Sequence, residues 1–143
     1  MSSSGARPTG YLVIAHGALA GEMLNALEFI AGHRPNYRAL AIDHALDVEK
    51  ARSIVEKAVD ELMGPGGVLI FTDLFGGAPS NIALSLLGEK NIEIVAGVNL
   101  PMLLRSTSLE ENAPLRQKAE ILREYGRNNI FIATEILSGK AKR

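Results

Sequence analysis

Two unbroken apolar runs, Tyr11-Leu12-Val13-Ile14-Ala15 and Val68-Leu69-Ile70-Phe71, are each cut short by polar residues, His16-Gly17 after the first and Thr72-Asp73 after the second. Runs of that length are too short for helices, and the lack of polar alternation means that both faces are covered. Strands of this kind lie in the middle of a parallel sheet with helices on either side. Each polar residue then sits where a buried strand surfaces. If the two strands are neighbours, His16 and Asp73 meet at one mouth of the sheet.

The rest of the chain supplies helices and outer strands. Met23, Leu24, Leu27, Ile30 and Ala31 recur at three and four residues between Ala20 and Ala31, and Gly32 supplies a stop, which predicts a first helix. Tyr37 to Ile42 reads as a second strand after the turn His33-Arg34-Pro35-Asn36. Asp47 stands in the cap position of a helix whose stripe is Val48, Ala51, Val55, Ala58 and Leu62, ended by Gly64-Pro65-Gly66-Gly67. Pro79 suits the first turn of a helix running through Ile82, Ala83, Leu86 and Leu87 to Gly88. Ile92 to Ala96 predicts a fourth strand, and Asn99-Leu100-Pro101-Met102 opens a further helix or turn. Leu115, Ala119, Leu122 and Tyr125 mark a last amphipathic helix before Gly126, and Ile130 to Ala133 is a final strand candidate. Such alternation predicts an α/β fold: an open, doubly wound, mainly parallel sheet with helices on both faces.

A length of 143 residues with 47% apolar and 22% charged content suits one domain with a single well-filled core. Residues 1–9 and 138–143, the latter basic, read as solvated tails, which places the domain at residues 10–137. A formal charge of −1 leaves no surplus of cations for a phosphate polymer, so nucleic acid is not an expected partner. Without cysteine there is neither a disulfide framework nor a thiolate metal site. The N-terminus lacks the apolar core of a secretory signal, and no run approaches the ~20 residues that cross a bilayer. The expectation is a cytoplasmic protein with no membrane insertion.

In open parallel sheets ligands bind beyond the carboxyl ends of the strands, at the point where strand order reverses; in the flavodoxin-like order this lies between strands one and three. A carboxylate there fixes which nitrogen of His16 holds the proton and leaves the other to act as nucleophile. After Asp73, the segment Leu74-Phe75-Gly76-Gly77-Ala78-Pro79 brings two glycines to the start of a helix, where backbone N–H groups form an anion cradle. Gly17 allows close approach at the other lip. Phe75, Leu100, Pro101 and Met102 are expected to ring the mouth, a rim suited to another protein's reactive group. Taken singly these residues have plainer readings, a structural histidine, a tight turn and a helix cap; their joint placement at one switch point favours the functional one. His33 reads as solvated, His44 borders strand two, and Glu110-Glu111 reads as an exposed face. No His or acidic grouping has metal-ligand spacing, and no Lys-Ser or Lys-Thr follows the glycines as in a nucleotide-binding loop.

The segments YLVIAHG, LIFTDLFGGAPSNIA and VAGVNLPML, in that order, resemble the IIA domain of the mannose-type bacterial phosphoenolpyruvate:sugar phosphotransferase system, the mannose, fructose and sorbose family. The likeness runs from Gly10 to about Ile136. It implies that His16 accepts a phosphoryl group on Nε2 from the phosphocarrier HPr and donates it to a IIB component, with Asp73 holding the other nitrogen. No cofactor is implied. It further implies four parallel strands plus one antiparallel strand exchanged between subunits of a homodimer, for which Ile130 to Ala133 is the candidate. Some members of the family carry a hydroxyl residue where this chain has Ala78, so the cradle is expected to rely on the backbone N–H groups of Gly76, Gly77 and Ala78. With no IIB segment read within these 143 residues, the phosphoryl is expected to leave to a separate protein, or its presence is itself a regulatory output. A histidine phosphatase is the enzymatic rival, but its histidine follows an arginine and His16 follows Ala15. The phosphotransferase subunit of dihydroxyacetone kinase is a further relative, which the Phe75 to Pro79 segment fits less well.

Overall fold

The computed structural model describes residues 9–42 and 47–139. His44 therefore lies outside the described residues. Four strands, β1 (Gly10–His16), β2 (Tyr37–Ile42), β3 (Val68–Thr72) and β4 (Ile92–Ala96), form one sheet in the order β2-β1-β3-β4, every neighbouring pair parallel. The two uninterrupted apolar runs thus occupy the two central positions, as their two-sided burial requires.

Because successive strand residues point to opposite faces, the sheet divides its own side chains between two cores. Leu12, Ile14, Val68 and Ile70 pack under α2 (Val48–Leu62) and α3 (Ala78–Leu84), meeting Val55, Val59, Ile82 and Ala83. Tyr11, Val13, Ala15, Leu69 and Phe71 face the other way onto α1 (Leu19–Ala31), α4 (Leu100–Ser106) and α5 (Leu115–Asn128), meeting Leu27, Leu103 and Leu122. Leu12, Val13, Ile14, Leu69, Ile70 and Phe71 are all wholly buried. Thr9, placed by composition with the tail, is buried as well, its hydroxyl donating to the Gly66 carbonyl at 3.0 Å.

Several expectations shift at the edges of elements. Ile30 and Val48 are exposed, their surfaces meeting no neighbouring element among the described residues, and Tyr125 is partly exposed with the Arg105 guanidinium of α4 5.9 Å from its ring centre. Asp47 flanks α2 without a side-chain capping bond. The helix after Pro79 ends at Leu84; Leu86 lies in the turn beyond it and Leu87 in a bridge to Lys90. Gly126 does not stop α5, which continues to Asn128; it is a contact point, since a Cβ there would lie 2.6 Å from Met102 Cε.

One predicted strand is absent. Residues 130–132 pair with none of the four strands among the described residues, and Ala133–Leu137 is a short helix, α6. Ile130, Phe131, Ile132 and Leu137 remain exposed among the described residues. A strand needs a hydrogen-bonding edge as well as suitable residues, and here the segment lies against no such edge.

Truncation of the central strand should be costly while truncation on an uncovered helix face should not. Phe71→Ala is expected to destabilise by about 3–5 kcal/mol, and Phe29→Ala, at a side chain 91% exposed, by no more than about 0.5 kcal/mol, as read from urea midpoints.

Candidate functional site

Strand register places His16 and Asp73 together. Ile14 of β1 lies beside Thr72 of β3, so β1 extends past the last pair to His16 just as β3 gives way to Asp73. The exit of β3 is held by Thr72, wholly buried, whose carbonyl accepts from the N–H groups of Gly97 at 2.9 Å and Val98 at 3.0 Å and whose hydroxyl donates to the Leu74 carbonyl at 3.1 Å. Asp73 is therefore presented from a fixed turn.

A single carboxylate oxygen, Asp73 Oδ2, binds His16 twice: the backbone N–H at 3.0 Å and ring Nδ1 at 2.8 Å. Asp73 Oδ1 accepts from the Leu74 N–H at 2.9 Å. Burial pushes the Asp73 carboxyl up, but the hydrogen bonds from the His16 backbone and ring and from the Leu74 N–H outweigh it, and the group sits below its ordinary value. An ionised carboxylate only accepts, so Nδ1 carries the ring proton and the lone pair belongs to Nε2. The side chain of His16 is 34% exposed and that of Asp73 only 11%, so the nitrogen bearing the lone pair belongs to the more accessible partner.

The paired glycines answer different requirements. Gly76 has φ +100°, a conformation that side chains rarely allow. Gly77 has φ −85°, which any residue adopts, yet a Cβ there would lie 2.9 Å from His16 Cε1 and 3.3 Å from Nε2. Gly77 is thus the floor on which the imidazole rests. The expected cradle is narrower than two glycines suggest, because the Gly76 N–H donates to Ser80 Oγ at 3.1 Å. Ser80, wholly buried, shapes this turn and was not signalled by the sequence. Gly77 and Ala78 remain, their N–H groups meeting no acceptor among the described residues. Gly17 follows His16 at φ +56°.

The mouth is apolar and open. Phe75 is 76% exposed beside Leu74, and Leu19 opens α1 two residues after Gly17, also exposed. Leu100 and Pro101 are half-buried at the start of α4, where Asn99 accepts from the Met102 N–H at 3.0 Å. Met102 does not belong to the rim: it is buried in the core against Gly126, because the Asn99 cap starts α4 in the phase that turns residue 102 inward. Leu74 and Leu19, missed in the sequence, take its place; exposure of an apolar residue is decided by which elements fail to cover it. His33 is exposed beside Glu28 at 3.1 Å, away from this constellation. Among the described residues no grouping of His, Cys, Asp and Glu could hold a metal ion.

Residues 10–122 match the family model described as the PTS system fructose IIA component. The chain belongs to this family. The sorbose-specific EIIA component of Lacticaseibacillus casei is 34% identical over 113 residues, covering 74% of this chain and 77% of that protein. The fructose-specific EIIA component of Bacillus subtilis (strain 168) is 26% identical over 127 residues, covering 88% and 87%. Among solved structures, the PTS IIA protein associated with the fucose utilization operon from Streptococcus pneumoniae superposes with a TM-score of 0.81 at 28% identity, covering 94% of this chain and 99% of that one. The protein is a IIA-type component of the phosphotransferase system, and His16 and Asp73 stand at the switch point of a IIA fold.

The lowered carboxyl of Asp73 fixes the sign of a pH effect. Its hydrogen bonds contribute stability that is complete above the ordinary carboxylate value and lost as pH falls through the lower folded-state value. Wild type should therefore lose stability relative to Asp73→Asn as pH is taken from about 5 to about 2, measured by denaturant midpoints at constant ionic strength. Parallel pH profiles for the two proteins would show that these bonds do not hold the carboxylate ionised.

Proposed function

We propose that this IIA component is a phosphoryl carrier that accepts a phosphoryl group from phospho-HPr on Nε2 of His16 and donates it to a separate IIB component in the cytoplasm. The observation that carries the reading is the double grip of Asp73 Oδ2 on His16, which sets the tautomer with Nδ1 protonated. In the transfer, the Nε2 lone pair attacks phosphorus in line as the donor's N–P bond breaks and its electron pair returns to the donor imidazole. The Nδ1 proton stays with the hydrogen bond to Asp73, whose negative charge balances the imidazolium character that His16 acquires. The chain supplies positioning and electrostatics and leaves the bond-making to the two imidazoles. The N–H groups of Gly77 and Ala78 are the backbone donors available to the phosphoryl oxygens, and exposed Phe75 and Leu74 support docking of a protein donor.

A homodimer forms part of the same proposal. β4 is an edge strand, a cleft of about 260 Å³ runs between it and α5, and the apolar segment at 130–132 lies exposed further along the same chain. Exchange of that segment as an antiparallel strand against the partner's β4 would cover both at once.

Incubation with phosphoenolpyruvate, enzyme I and HPr should label the wild type and leave His16→Ala unlabelled; label retained by the variant would remove His16 from its role. Asp73→Asn should be labelled about 10²- to 10⁴-fold more slowly, with the fold intact by circular dichroism. Gly77→Ala, whose new methyl would displace the ring, should be slowed about 10²-fold; an unchanged rate there would show that the imidazole has room to move.

A further inference from the structure

At the end of the sheet opposite His16, where β1 and β2 begin, a cavity of about 300 Å³ is lined by residues that include Thr9, Tyr11, Arg34, Tyr37, Glu111 and Lys118. Tyr11 precedes His16 by five residues on one strand, so the two sites are separated by about 17 Å. The phosphoryl-transfer geometry uses none of the cavity's residues.

Lys118 is 2% exposed, and its ammonium donates to Thr9 Oγ1 at 2.7 Å and to the Glu111 carbonyl at 3.0 Å. Thr9 spends its own proton on Gly66, so it serves Lys118 only as an acceptor, and a third ammonium N–H is left over. Arg34 donates to the Ala31 carbonyl at 3.0 Å, while its buried Nε meets no acceptor among the described residues. Neither cation is ion-paired with a carboxylate among those residues. Ser106 donates to the Leu103 carbonyl, so Tyr37 must donate to Ser106, and Tyr11, stacked on Tyr37 with ring centres 4.7 Å apart, has a hydroxyl with no acceptor among the described residues. Of these donors Arg34 Nε is buried without an acceptor among the described residues, a costly arrangement that natural proteins rarely leave so. The lining therefore holds a surplus of donors and two cations against the single acid Glu111. The eight residues ahead of Thr9 contain Arg7 and no acid, so they bring no counter-charge.

We propose that this cavity is a second binding site, for a small organic oxyanion such as a carboxylic acid or a phosphomonoester, held by Lys118 and Arg34 with the Tyr11 hydroxyl. Its volume corresponds to about ten waters, enough for a compact metabolite. The aromatic pair closes one wall and the charged groups converge from the strand starts and α5. Carboxylate and phosphate share the recognition chemistry, and separate titrations tell them apart.

The test is a titration of the full chain with citrate and, separately, with inorganic phosphate, against sodium chloride at matched ionic strength, followed by amide nitrogen–proton spectra. At least one of the two anions should produce saturable shifts at Thr9, Tyr11, Arg34 and Lys118, and Arg34→Gln and Lys118→Met should each weaken them at least tenfold while the remaining spectrum is kept. Arg34→Gln alone carries the comparison if the buried Lys118→Met fails to fold. Shifts matched by chloride, shifts confined to His16 and the Gly76-Gly77 turn, or shifts that survive the substitutions would overturn the proposal. Since labelling of His16 is measured separately, failure of this site leaves the carrier reading untouched.

Discussion

The structure turns on one carboxylate oxygen. Asp73 Oδ2 takes both the backbone N–H and the ring N–H of His16, and so ties the exit of β1 to the exit of β3 while setting the proton on the imidazole. A carboxylate with an 11% exposed side chain would be costly to keep charged without such bonds; with three N–H groups directed at it, the charged form is the favoured one. The same bonds that hold the loops in place also decide which ring nitrogen bears the lone pair. Structural and chemical roles cannot be separated at this residue.

Around that clamp the turn after β3 is assembled by proximity. Gly76 is required by its backbone conformation, Gly77 by the ring that lies against it, and buried Ser80 uses the Gly76 N–H to hold the turn shut. The site therefore has few moving parts and an open face, with Phe75 and Leu74 exposed in front of an accessible imidazole. A rigid site on an open rim suits the proposed transfer between proteins.

The two ends of the sheet differ in chemistry because parallel strands present all their carboxyl ends on one side. Backbone turns and an acid gather where the strands finish, whereas at their starts the chain places buried Lys118, Arg34 and stacked tyrosines. The proposed transfer site and the proposed anion site thus lie at opposite ends of the same packed, rigid strands.

Local chemistry alone determined a good part of this protein. Uninterrupted apolar runs can be stable only as central strands, so the parallel α/β class, the pairing of the His16 and Asp73 strands and the glycine turn were legible from residue type and spacing. Tertiary structure decided the rest. Met102 turned inward and Ile30 outward because burial depends on which element happens to cover a face, a relation between segments distant in sequence. Ser80 and Lys118 matter through partners that no local pattern signals, Gly76 four residues away across a turn and Thr9 at the far end of the chain. Ile130 to Ala133 has the composition of a strand but pairs with no strand among the described residues, and a strand exists only where another offers it hydrogen bonds.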